Sequence, residues 1–461
     1  MPAPGFPEGV LYNGFSAATL GSQGNVALAS YGRGTVWAGM PGKLQPIVKD
    51  GDPITGLPGN VLFSNYYDQL SINSLGDVAF VGKVKGALSE YGIFASVDGN
   101  FQKILMESEY GNPDVFSFSD AGLVFIGKNS LFYWDKNTTQ VIAQVGQTLD
   151  AYPGCTLSFY TTGYSNSKFS QPHINNVGEI IFGVGFYKEQ SNSMAVCPAQ
   201  AILRWSKGKW STVVDSSQSV PNLPGYNFRF GSRLLEDVST SINDAGGVTF
   251  KTYTTSNDYV ISTWYKLPNQ LPQLIAISGE TVALDYPVKL YFSGYPNSLF
   301  SSTNSNGQLL VANTPTAQAP ANVGYTLFAG QPRATVPYTD ASLVGASQLI
   351  PIASVGQQPP GTNRTTFFDK IDYASINNSG DIVIDAIVSD AATGSRVDTL
   401  WYANQSKLVN RFLSVGQTLS VDGVTKTLSS FTIYGQSDTR QVLLNCNFGS
   451  SNDSALLLMS Y

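Results

Sequence analysis

The feature that most restricts this chain is a short signature recurring from one end to the other: an Asn, two residues, a Gly, then an apolar run. It reads INSLGDVAF at Ile72, INNVGEIIF at Ile174, INDAGGVTF at Ile242 and INNSGDIVI at Ile376. Weaker copies are LGSQGNVAL at Leu20, FSDAGLVFI at Phe118, TNSNGQLLV at Thr303 and QSDTRQVLL at Gln436. Aligned on the glycine, the eight copies fall at 24, 76, 122, 178, 246, 307 and 380, with Arg440 in the last, at steps of 46 to 73 residues. The pentapeptide VGQTL, at Val145 and again at Val415, repeats independently. Asn and Gly both tolerate positive φ at low cost, so each signature reads as a tight turn between two strands.

Each copy holds four strands. An inner strand ends at the Asn, an apolar strand follows the turn, a third carries an aromatic (Trp37, Phe94, Trp205, Trp264, Phe328, Trp401), and a fourth alternates in polarity and ends in Gly. Four-stranded units at this period, with no helical pattern between them, predict an all-β, eight-bladed β-propeller of antiparallel blades, one domain over residues 1–461. A β-solenoid, the main rival, needs shorter and more uniform rungs. The last copy stops at SALLLMSY, its third strand, so the N-terminal segment around Gly9 to Phe15 is expected to pair with it and close the ring.

Composition narrows the function classes. Charged residues are only 13% of the 461, about half the roughly 25% of an ordinary soluble domain. A net charge of −6 argues against a phosphate-binding surface and hence against nucleic acid. The start, MPAPGFPEGV, lacks the basic and apolar regions of a signal peptide, and no apolar run is long enough to cross a bilayer. No membrane insertion is expected. Either Met1 precedes a mature secreted domain, or the chain reaches the outside by another route, for example on a virus particle. The three cysteines form no CxxC and there is one histidine, so no zinc site, and no other metal or cofactor, is expected. Cys155 and Cys197 lie in loop-like stretches and Cys446 in an apolar run. A Cys155–Cys197 disulfide is the expectation, two free thiols the alternative.

The extended pattern Asn-x-x-Gly-x-x-x-Phe resembles that of a tandem-repeat family of bacterial exported proteins with differing surface anchors and mostly unassigned functions. Asn73, Gly76 and Phe80 match it fully, as do Asn175, Gly178 and Phe182, and Asn243, Gly246 and Phe250; Asn377 and Gly380 match with Ile384 in place of Phe, and Asn304 and Gly307 with Val311. The resemblance implies a propeller-like fold and export, and it carries no catalytic residues with it.

Two residues before each signature Asn stand Thr19, Ser71, Ser117, His173, Ser241, Ser302, Ser375 and Gly435. His173, the one imidazole, is the candidate proton-transfer group; the plainer reading makes it a hydrogen-bonding substitute for Ser. No GxSxG, Walker or GxGxxG unit is present. The acidic pair Glu236 and Asp237 is the place where paired carboxyls for glycoside hydrolysis would be sought. The copies differ most between second and third strands, where rigid scaffolds carry binding loops. Tyr187, Lys188, Tyr253 and Tyr259, with Tyr160, Tyr164 and Arg396, are the candidate ligand-binding residues. The expected function is non-enzymatic extracellular recognition or structure, with a glycan or protein bound on the long-loop face. A polysaccharide lyase using His173, a Tyr and a cation is one alternative, and a virion surface or tail component another.

Overall fold

The structure, a computed structural model, describes residue 5 and residues 15–30, 34–111, 116–158, 171–188, 197–221, 227–230, 240–254, 261–277, 281–283, 287–289, 301–313, 326–332, 349–404, 406–449 and 453–461. Among these residues the only helix is Glu107–Tyr110; the rest of the regular structure is antiparallel sheet, arranged as the eight blades of a β-propeller and two separate hairpins, Thr281–Ala283 with Pro287–Lys289 and Thr418–Val421 with Val424–Thr427. The Cα trace divides into two compact units, Met1–Thr212 and Val213–Tyr461.

The first unit carries blades one to four. Blade one is Ala17–Leu20, Val26–Ser30, Thr35–Gly39 and Gln45–Val48. Blade two is Val61–Ile72, Val78–Gly86, Tyr91–Val97 and Asn100–Met106, and blade three Phe116–Ser119, Gly122–Gly127, Ser130–Trp134 and Thr139–Gln144. Blade four has a divided inner strand: Cys155–Ser158 and His173–Ile174 both pair with Ile180–Lys188, followed by Gln200–Ser206 and Lys209–Asp215. The unit boundary falls within that last strand.

In the second unit, blade five repeats the division: Phe228–Arg229 and Ser241–Ile242 both pair with Val248–Thr254, then come Ile261–Lys266 and Gln273–Ile277. Blade six is Ser301–Thr303, Leu309–Asn313, Thr326–Gly330 and Ile350–Ser354; blade seven is Thr366–Ile376, Ile382–Asp390, Arg396–Asn404 and Lys407–Ser414. Blade eight shows three strands, Ser430–Gln436, Gln441–Asn447 and Ser454–Ser460. Of the segment around Gly9 to Phe15 expected to pair with it, residues 9–14 lie outside the described residues.

The signature works as an internally braced turn. In blade two the Asn73 Oδ1 accepts the Leu75 and Asp77 amides at 3.1 and 2.9 Å, and Gly76 takes φ +92°. The same brace joins Asn304 to Asn306 and Gln308, and Asn377 to Asp381. In blade eight Ser437 Oγ takes over, and Arg440 adopts the positive φ, +59°. Blade three departs from the alignment. Phe118 pairs with Leu123, whereas Ile72 pairs with Val78, so its turn is one residue shorter and Gly122 opens the second strand.

Within each unit the same turns tie neighbouring blades together, which is why the Asn is more than a local turn former. Asn73 Nδ2 donates to the Ser119 carbonyl at 3.3 Å, and Ser119 Oγ to the Asn175 carbonyl at 2.9 Å. In the second unit Asn304 Nδ2 donates to the Asn377 carbonyl at 2.7 Å and Asn377 Nδ2 to the Ser437 carbonyl at 2.9 Å. One residue on, the amides of Ser74, Asp120, Ser305 and Asn378 donate to the side chains of Asp120, Asn176, Asn378 and Asp438. A third tie is aromatic. A Cβ at Gly307 of blade six would stand 2.5 Å from the Tyr265 ring of blade five, and the Arg440 guanidinium of blade eight lies 5.9 Å from the Tyr402 ring of blade seven.

Between the sheets the core is aromatic and aliphatic. The signature Phe80 and Phe250 pair across the strands with Phe94 and Trp264, and Ile384 pairs with Trp401, all buried. Burying such a side chain contributes about 1.5–3 kcal/mol. In blade four the partner of Phe182 is Leu203, with Trp205 two residues further along, so the expected aromatic is displaced there.

Candidate functional site

The inner-strand series expected from the sequence occupies one register position. Thr19, Ser71, Ser117, His173, Ser241, Ser302, Ser375 and Gly435 lie opposite Ala27, Ala79, Val124, Ile181, Thr249, Leu310, Val383 and Leu443. Two of its hydroxyls bond the following blade: Ser117 Oγ accepts the Ile174 amide at 3.3 Å, and Ser375 Oγ donates to Gln436 Oε1 at 2.7 Å. His173 sits in the same row, and burial lowers its imidazole to about 4, so the ring is neutral at pH 7.

The candidate loop residues are dispersed. Tyr187 and Lys188 lie in the strand Ile180–Lys188, opposite Thr156 and Cys155, and Tyr253 lies in Val248–Thr254, opposite Arg229 and Ile261. These three were expected on connections, and the strands run further than the sequence suggested. Tyr160, Tyr164, Tyr259, Glu236 and Asp237 fall outside the described residues. Cys155 and Cys197 are joined by a disulfide with Cα atoms 5.6 Å apart, and Cys446 is a buried free thiol. Among the described residues no three His, Cys, Asp or Glu side chains are grouped to hold a metal, and no helix is long and apolar enough to cross a membrane.

Arg396 opens the third strand of blade seven and forms an ion pair with Asp369 of the inner strand. It leads to a group of charges that the sequence reading passed over. The inner strand Thr366–Ile376 carries two register irregularities, between Phe368 and Lys370 and between Ile371 and Tyr373. Such bulges re-aim side chains, and here Lys370, Asp372 and Tyr373 come to lie exposed or half-exposed, with Lys370 and Asp372 ion-paired. Tyr373, 42% exposed, stands directly opposite Asp385 of the second strand, while Asp398 and Lys370 both stand opposite Ile387. On this face Val383 and Leu400 pack towards the Val442, Leu444 and Cys446 side of blade eight.

Burial pushes the Asp385 carboxyl up to about 7, the charges of Asp372 and Asp398 add to the effect, and Lys370 opposes it. Asp385 therefore holds its proton well above the usual carboxylate range, and in that form it both donates and accepts hydrogen bonds. A signal for it does exist in the repeats. At its register position the other blades carry Ala29, Val81, Ile126, Gly183, Lys251, Ala312 and Asn445, so an acid there stands out once the strands are aligned by pairing.

Fold and site together define a β-propeller that presents a mixed-charge, tyrosine-bearing inner strand on blade seven. The chain belongs to a family of unknown function (DUF7453), matched over residues 1–115 and 110–329. No curated protein matches the sequence. Among solved structures it is similar to PorZ, a surface component of the type-IX secretion system of Porphyromonas gingivalis, at 10% identity over 96% of this chain and 49% of that one, TM-score 0.23. It is also similar to YCF48 from Cyanidioschyzon merolae, at 12% identity over 97% and 95% of the two chains, TM-score 0.31. An ulvan lyase of polysaccharide lyase family PL25 is similar at 9% identity over 97% and 93%, TM-score 0.28. This chain thus spans about half the length of PorZ.

Proposed function

We propose that the chain is a non-enzymatic recognition module of a cell or particle surface that binds a glycan through blade seven. The observation that carries this is the cross-strand pair of Tyr373 and Asp385, set among Asp372, Asp398, Lys370 and Arg396. A tyrosine offers a ring face to the apolar side of a sugar, and a carboxyl that holds its proton both gives and takes a hydrogen bond with hydroxyls. The resemblance of the repeat to exported tandem-repeat proteins supports a place outside the cell, and the scarcity of charge elsewhere supports binding over catalysis. For the lyase alternative a Tyr or His173 would act as the base, and burial makes the His173 imidazole a weak one.

A glycan-array screen of the full chain, run beside an absorbance assay for unsaturated uronate, tests the reading. Binding that Tyr373→Ala abolishes, without growth of absorbance, is the expected result. Product formation that His173→Gln abolishes would replace recognition with catalysis. Glycan binding unchanged in Tyr373→Ala would remove blade seven as the site.

A further inference from the structure

We propose that ordered water molecules are built into a polar seam between blades five and six. At the register position of Thr249 every other blade has an aliphatic or alanine residue: Ala27, Ala79, Val124, Ile181, Leu310, Val383 or Leu443. At that of Thr263, opposite Lys251, the others have Val36, Ile93, Leu131, Ile202, Leu327, Leu400 or Leu456. Blade five alone puts hydroxyls at both, and adds Ser241 directly opposite Thr249.

Thr249, Lys251 and Thr263 share a face with Tyr265, since Thr249 pairs with Tyr265 and Thr263 with Lys251. Tyr265 packs with Leu309, Val311 and Phe328 of blade six, so the hydroxyls face that apolar wall. Thr249 is 1% and Thr263 0% exposed, and the hydroxyl oxygens of Thr249, Thr263, Ser241 and neighbouring Thr240 have no hydrogen-bond partner among the described residues. They make up four of the eight such buried atoms there. The opposite face of the same blade behaves differently: Thr252 and Ser262 bond each other, and Ser262 receives the Trp264 indole.

A buried hydroxyl left unpaired destabilises the fold, whereas directly and diagonally opposed hydroxyls on neighbouring strands supply the two to four partners that a buried water requires. Water bridging Ser241, Thr249 and Thr263 satisfies them where the wall cannot.

The sign of one substitution decides between a hydrated and a dry seam. Thr249→Val and Thr263→Val keep the shape and give blade five the side-chain type of its siblings. If water is bound, each variant melts lower by about 2 °C or more, and the long-lived internal water seen by oxygen-17 magnetic relaxation dispersion decreases relative to the parent chain. Thr249→Ser keeps a hydroxyl and retains that water signal; it serves as the control if a Val variant does not fold. Val variants that melt at or above the parent, or that keep the full internal-water signal, overturn the proposal, as does loss of that signal in Thr249→Ser.

Discussion

Gly307 carries two duties that can be separated by measurement. Its φ of +77° lies in the left-handed region, and a Cβ there would stand 2.5 Å from Tyr265 Cδ2, 2.7 Å from Cγ and 2.9 Å from Cε2. The Tyr265 ring has little room to retreat, being buried with its hydroxyl accepting the Asn243 side-chain amide at 3.0 Å. Gly307→Ala thus incurs the left-handed penalty of about 1–2 kcal/mol. Overpacking against the ring adds about 1–3 kcal/mol. Gly416 supplies the comparison, because its φ is +86° but no atom lies within 4 Å of the added Cβ. Gly416→Ala should therefore show the backbone penalty alone. Guanidinium denaturation followed by circular dichroism and tryptophan fluorescence gives both losses, provided the slopes are unchanged. In the double variant Gly307→Ala with Tyr265→Ala, the overpacking part should disappear as a coupling energy. Equal losses for Gly307→Ala and Gly416→Ala, or strict additivity in the double variant, would refute the packing argument.

Asp385, held near 7 when folded and near 4 when unfolded, takes up a proton on folding between those values, so stability falls as pH rises through that window. Asp385→Asn should be more stable than the parent at pH 8 and lose that slope; an unchanged slope would reject the assignment. Asp77 behaves oppositely: burial raises it, but the Lys136, Asp98 amide and Asn73 hydrogen bonds outweigh that and hold it below its usual value. Its contribution is present above about pH 4 and lost on acidification, and Lys136→Met should cost about 2–3 kcal/mol at pH 7; a loss that persists undiminished at pH 2 would contradict the pairing. Burial raises the Cys446 thiol to about 12, so folded protein should leave it unmodified by a thiol reagent at pH 8 and denaturant should expose one thiol per chain. Rapid labelling of native protein would show that the Phe448 and Leu444 packing around it is looser than described.

The sequence by itself determined the blade. A turn with Asn first and a positive-φ residue fourth is local chemistry, so INSLGDVAF and INNSGDIVI announce hairpins wherever they stand, and five of them on one chain, with three variants that begin at Gly21, Ser119 and Ser437, dictate repeated sheets. Even Arg440, which breaks the letter of the pattern, keeps its geometry. Tertiary structure decided everything that depends on which residues face the following blade. The shorter turn at Asp120, the divided inner strands of blades four and five, and the meeting of Tyr373 with Asp385 all hang on register, and one bulge or one deleted residue changes register without altering composition. Residues that answer one another across blades are some 46 to 73 positions apart, so nothing nearby in the chain marks Asp385 or Thr249 until pairing aligns them with their siblings. Their burial, and with it their protonation and hydration, comes from the neighbouring sheet.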